Sequence, residues 1–135
     1  MPSPIYQVYE DSQYKFKFEY PNTWTYFAPN PEAPSDLAYF EAPEWIENNF
    51  RYAILVRQVD EITVSTSNET VINGHKVLYS EKVPGRDPSL AAFFISPTDQ
   101  IISISLVPYS SLNPHQQQQE HLEVFNRVLR TFTFI

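Results

Sequence analysis

Residues 14 to 24 set the pattern for the chain. Tyr14, Phe16, Phe18 and Tyr20 alternate with Lys15, Lys17 and Glu19, which places four rings on one face of a strand and three charges on the other. Pro21 ends the ladder because it has no N–H to donate. Asn22-Thr23 makes a turn, and Trp24–Phe27 reads as a second strand folded back on the first as a hairpin. Residues 1–13, with two prolines and mixed polar residues, read as an extended leader with a short edge strand. A face with four rings needs a cover, and the amphipathic segment Pro114–Arg130 is the best candidate.

Further strands follow by the same criterion. Leu37–Glu41 reads as a short strand after the proline-rich loop Ala28–Asp36. Ala42–Asn49 reads as a helical turn or a long hairpin loop. Arg51–Val59 is apolar on both parities for part of its length, as a central strand covered on both faces would be. Asp60–Asn68 is a polar crossing. Thr70–Ile72 leads through Asn73-Gly74, a strong turn pair, into Lys76–Val83. Pro84–Pro88 is a turn, and Leu90–Ser96 and Ile101–Val107 form an antiparallel hairpin.

Near the C-terminus, Asn113 is placed to cap a helix whose first position is Pro114, with Gln116 completing a capping box. Leu122, Phe125, Val128, Leu129 and Phe132 recur at three- and four-residue spacing. Arg127 and Arg130 sit in the last turn, where cations favour the helix terminus. Thr131–Ile135 alternates like a last short strand or a docked tail. Grouped, hairpin-connected strands and one firm helix predict an α+β fold: an antiparallel sheet of about six or seven strands with the C-terminal helix on one face. Phe16, Phe18, Trp24, Ile54, Val56, Phe94, Ile102, Ile104, Phe125, Val128 and Leu129 are the expected core.

Composition narrows the function classes. At 135 residues the chain is expected to be one domain, 1–135, and a monomer. Its net charge of −7 and the absence of a basic stripe argue against nucleic-acid binding. No apolar run is long enough for membrane insertion as a helix. With only two Gly there is no glycine-rich phosphate cradle, and with no Cys there is no thiolate chemistry, disulfide or cysteine zinc site.

The three histidines do not make a metal site by spacing. His115 and His121 are six apart and fall on different helix faces, so they read as surface residues, as does His75 after its turn. Ser110 and Ser111 precede His115, but no acid is placed to orient that histidine. Neither a catalytic residue nor a cofactor is expected. The candidate partner surface is Tyr39, Phe40 and Trp45, an aromatic group beside Glu41, Glu44 and Glu47 that suits a partner with a basic rim. Arg86 and Asp87, at the tip of the Pro84–Pro88 turn, are a second recognition candidate.

Three stretches carry a family resemblance. Tyr14-x-Phe16-x-Phe18-x-Tyr20-Pro21-x-x-Trp24 resembles the opening of PsbP-like domains. Ile72-Asn73-Gly74-His75-Lys76-Val77 is similar to their mid-chain strand. Phe125-x-x-Val128-Leu129-x-Thr131-Phe132-x-Phe134 is similar to their closing helix and tail. The resemblance spans about residues 5 to 135 and implies an α-β-α sandwich with an antiparallel sheet. PsbP-like proteins usually carry a helix after the central strands. Here Asp60–Asn68 is short and β-branched, so that second helix layer is expected to be reduced. The resemblance also implies a non-enzymatic accessory domain that acts through protein–protein contacts, with a membrane or photosynthetic complex among the partners it suggests. It implies an extracytoplasmic home, periplasm or thylakoid lumen, against a cytoplasmic one if Met1 is the native start. The reading from a different class is a small-molecule or metal-binding domain using the sheet face opposite the helix.

Overall fold

The computed structural model describes residues 5–28, 32, 36–47, 50–61, 68–81, 90–107 and 118–135, with side chains described for all of these except 44–47, 50, 68 and 81. Two antiparallel sheets face each other. The larger has seven strands in the order β3 (Thr25–Phe27), β4 (Asp36–Glu47), β5 (Phe50–Val59), β9 (Ile101–Val107), β8 (Leu90–Ile95), β7 (His75–Glu81), β6 (Asn68–Ile72). The smaller has three strands: β1 (Tyr6–Asp11), β2 (Phe16–Pro21) and β10 (Thr133–Phe134). A single described helix, α1 (Gln118–Thr131), runs beside the small sheet and leads directly into β10.

The core fills the space between the inner face of the large sheet and a second layer made jointly by the small sheet and α1. Tyr52, Ile54 and Val56 of β5, Ile102 and Ile104 of β9, Ala92 and Phe94 of β8 and Val77 of β7 are buried on that inner face. Phe16 and Phe18 of β2, and Phe125, Val128, Leu129 and Phe132 of the C-terminal segment, meet them from the other side. Every residue expected in the core is buried.

The four-ring face of β2 is covered differently from the sequence expectation. Phe18 and Tyr20 pack on Phe40 of the large sheet, with centroids 5.7 and 4.5 Å away, and Phe16 stacks on Phe132 at 5.3 Å. The helix flanks β2 instead of lying over its rings. Thr131 Oγ1 accepts the Glu19 amide at 2.9 Å, continuing the β2 ladder where β10 ends. Tyr14 and Lys15 belong to the β1–β2 turn, not to the strand. Asp11 Oδ1 accepts the amides of Gln13 and Tyr14 there, and Lys15 adopts φ 58°.

Two other expectations are corrected, and the edge strand expected in the leader is present. β2 and β3 do not form a hairpin. At Asn22–Trp24 the chain leaves the small sheet and enters the large one, where Thr25–Phe27 pairs with Tyr39–Glu41. The leader does contain a strand, β1, which pairs along the whole of β2. The Ala42–Asn49 stretch is neither a helical turn nor a loop as far as Glu47. β4 continues through Pro43 because its register with β5 shifts between Glu41 and Trp45, an irregularity that accommodates a residue with no N–H.

The Asn73-Gly74 turn joins β6 to β7 with both residues at positive φ, 51° and 79°. β8 and β9 pair as expected. The segments 62–67, 82–89 and 108–117, with the proposed helix cap at Asn113-Pro114, lie outside the described residues. On the face of the large sheet away from α1, Ser80, Phe93 and Ser103 are buried.

Candidate functional site

Tyr39 and Phe40 are consecutive in β4, so their side chains leave on opposite faces. Phe40 points inward, is 1% exposed, and sits among Tyr9, Phe18, Tyr20 and Tyr26. It is a core residue and cannot meet a partner, which corrects its place in the candidate surface. Tyr39 emerges on the outer face. Its ring lies 5.7 Å from that of Phe27, its partner in register on β3. The Tyr39 hydroxyl donates to Glu41 Oε2 at 3.4 Å, and Arg51 Nη1 donates to Glu41 Oε1 at 3.2 Å. Partial burial pushes the Tyr39 phenol pKa up, and the neighbouring Glu41 charge and hydrogen bond add to the shift.

β3 is the edge of the large sheet, and all three of its residues are exposed. Tyr26 and Phe27 retain 43% and 44% of their surface, a large apolar area on a strand only three residues long. Trp45 stands further along β4, opposite Arg51 in the β4–β5 ladder. Arg86 and Asp87 lie outside the described residues. The structure thus joins Tyr39 to Phe27, Glu41 and Arg51 in one patch at the β3–β4 edge. Phe27 is the member that sequence reasoning overlooked. Its signal was present, since Thr25-Tyr26-Phe27 is an alternating segment stopped by prolines, but the strand was assigned to the wrong sheet.

The histidines also move from their expected places. His121 is 3% exposed and stacks on Tyr52 with ring centroids 4.4 Å apart, beside Trp24 at 5.5 Å. Burial pushes the Tyr52 phenol pKa up to about 12. His75 accepts the Phe134 amide on Nε2 at 3.3 Å, and its ring meets the edge of Phe134. Both histidines therefore hold parts of the fold together. Among the described residues, no three His, Asp or Glu side chains converge as metal ligands would.

A second cluster lies where α1 meets the small sheet. Arg127 Nη2 donates to Glu19 Oε1 at 2.8 Å, and its guanidinium carbon sits 4.4 Å from the centroid of the Tyr6 ring. The Glu19 hydrogen bond pushes the Arg127 pKa further up. Tyr6, Glu123, Asn126, Arg127 and Arg130 line a cleft of about 330 Å³ here. No described helix is long and apolar enough to cross a membrane.

No protein-family model matches the chain, and no curated protein matches it in sequence. Solved structures do match. Cyanobacterial PsbP (CyanoP) of Synechocystis sp. PCC 6803 superposes with a TM-score of 0.61 at 14% identity, over 99% of this chain and 95% of its own. The Ran-binding protein Mog1p of Saccharomyces cerevisiae superposes with a TM-score of 0.60 at 12% identity, over 98% of this chain and 96% of its own. At these identities the likeness concerns the fold, and the fold of this chain is PsbP-like.

Proposed function

We propose that this chain is a non-enzymatic accessory or binding domain that acts through protein–protein contacts at the β3–β4 edge. The observation that carries the reading is the exposed Phe27 ring on a three-residue edge strand, which shares its face with Tyr39 and the Glu41–Arg51 ion pair. Exposed aromatic rings beside a fixed charge pair have the composition of an interface anchor with a polar rim. The yeast neighbour is a Ran-binding protein, so a chain of this fold can present a protein-binding surface. The fold likeness to cyanobacterial PsbP agrees with the PsbP-like resemblance of the sequence, and it is that resemblance which implies an extracytoplasmic home with a membrane complex among the partners. The protein itself is expected to be a monomer.

The alternative, a small-molecule or metal-binding site on the sheet face away from α1, has less support because Ser80, Phe93 and Ser103 on that face are buried.

The test is a pull-down with the tagged chain from soluble and detergent-solubilised fractions of the source organism, run beside Phe27→Ser. A protein retained by the wild type and lost on Phe27→Ser is the expected result. Identical retention by both, or no retained protein in either fraction, would overturn the reading.

A further inference from the structure

The cleft between α1 and β1 is chemically unlike the aromatic edge and does not depend on it. On a chain with net charge −7, it gathers two of the nine Lys and Arg residues. Arg127 and Arg130 are three apart on α1, which puts their guanidinium groups on neighbouring positions of one face. Arg127 is held in place by Glu19 on one side and the Tyr6 ring on the other. Those contacts leave donors over. Among the described residues its ion pair uses Nη2 alone, and 39% of the side chain stays exposed. Arg130 enters no ion pair among the described residues.

We infer that this cleft receives the carboxylate of an acidic side chain from a partner's peptide segment. Arg130 supplies the charge, and Arg127 and Asn126 supply oriented N–H donors. The charge balance selects the ligand class. Two guanidinium groups stand against the carboxylates of Glu19 and Glu123, so the surroundings are near neutral and suit a singly charged group better than a phosphate dianion. The planar donor fork of arginine matches a carboxylate.

Glu123 marks the other end of the cleft. It lies about 10 Å from Arg130 along the helix axis, the span of about three residues of extended chain. A fitting segment therefore carries its acid at Arg130 and a base three residues before it, at Glu123.

The experiment uses the full chain labelled with nitrogen-15 and the probe acetyl-Lys-Ser-Ser-Glu-amide. The expected result is a saturable shift of the Arg127 Nε–H resonance with a Kd in the millimolar range. Binding weakens at least about tenfold for the probe ending in Gln, and equally for Arg130→Gln at unchanged thermal stability. No saturable shift, equal binding of the Gln-ending probe, or full binding by Arg130→Gln would overturn the inference. So would acetate binding as tightly as the peptide, because the site would then serve a small carboxylate. If Arg130→Gln does not fold, the comparison of the two peptides decides alone.

Discussion

Asn73 donates its side-chain amide to the Phe132 carbonyl at 2.8 Å, and the second hydrogen of the same group reaches the Arg130 carbonyl at 2.9 Å. The last carbonyls of a helix have no partner within the helix, so a turn 57 residues away in sequence closes the end of α1. His75, two residues on, accepts the Phe134 amide and extends the clamp to β10. The Asn73-Gly74-His75 stretch is therefore a fastening for the C-terminus as well as a hairpin turn.

Asn73→Gly isolates those hydrogen bonds, because glycine tolerates the 51° φ that alanine would find strained. We expect a loss of about 1–2 kcal/mol in urea denaturation for the two neutral hydrogen bonds at this exposed site. Asn73→Asp should cost at least as much, since a carboxylate would face two carbonyl oxygens. A Gly variant as stable as the wild type would show that the clamp contributes nothing.

Phe132 joins the two layers. It stacks on Phe94 at 3.9 Å and Phe16 at 5.3 Å, meets Phe134 edge-on at 5.1 Å, and is fully buried. Phe132→Ala should cost about 3–5 kcal/mol, the usual range for deleting a buried ring, and Phe132→Leu clearly less. Chemical denaturation measures both. A loss below about 1 kcal/mol for the alanine variant would mean that the site collapses and that the stack is not a structural centre.

Tyr52 gives a pH dependence with a defined sign. Its folded phenol holds the proton up to about pH 12, against 10.0 for an ordinary tyrosine. The folded chain therefore binds more protons than the unfolded chain between these values, and stability falls as pH rises through that window. The loss from this one buried group is on the order of 2 kcal/mol. Tyr9, Tyr39 and Tyr79 are shifted in the same direction and add to the slope. Tyr52→Phe should flatten the decline of thermal stability between pH 10 and 12, whatever it does at pH 7. An unchanged slope would sink this account.

Strand parity was readable in β2, where one face meets the core and a period of two reports it, while β5, β8 and β9 were readable as apolar runs buried on both faces for part of their length. Connections between layers were not. The Pro21-Asn22-Thr23 turn has the same chemistry whether the chain returns along its own sheet or crosses to another, so the β2–β3 hairpin was a fair inference and a wrong one. The proline at position 43 argued against a continuing strand, but the register shift between Glu41 and Trp45 absorbed it. His121 was placed outside because a hydrophobic count selects Leu122 for the helix stripe. The buried positions are in fact Gln118, His121, Phe125, Val128 and Leu129, with aromatic stacking on Tyr52 taking the place of aliphatic contact. The Arg127–Glu19 pair lies 108 residues apart in sequence, and no local pattern announces it.

Phe27 separates function from stability. Its ring is 44% exposed and its main contact is with Tyr39, so replacing it removes little buried area. Phe27→Ser should change unfolding free energy by less than about 1 kcal/mol, within the range of surface substitutions. Phe40→Ser, on the opposite face of β4 and 1% exposed, should unfold the chain or cost several times more, about 3 kcal/mol or above. Circular dichroism melts of the two variants measure the contrast. If Phe27→Ser is as damaging as Phe40→Ser, the β3–β4 edge is part of the core, and its rings are held for packing. If Phe27→Ser is neutral, a ring that contributes nothing to folding sits exposed on an edge strand, which is the physical condition for an interface anchor.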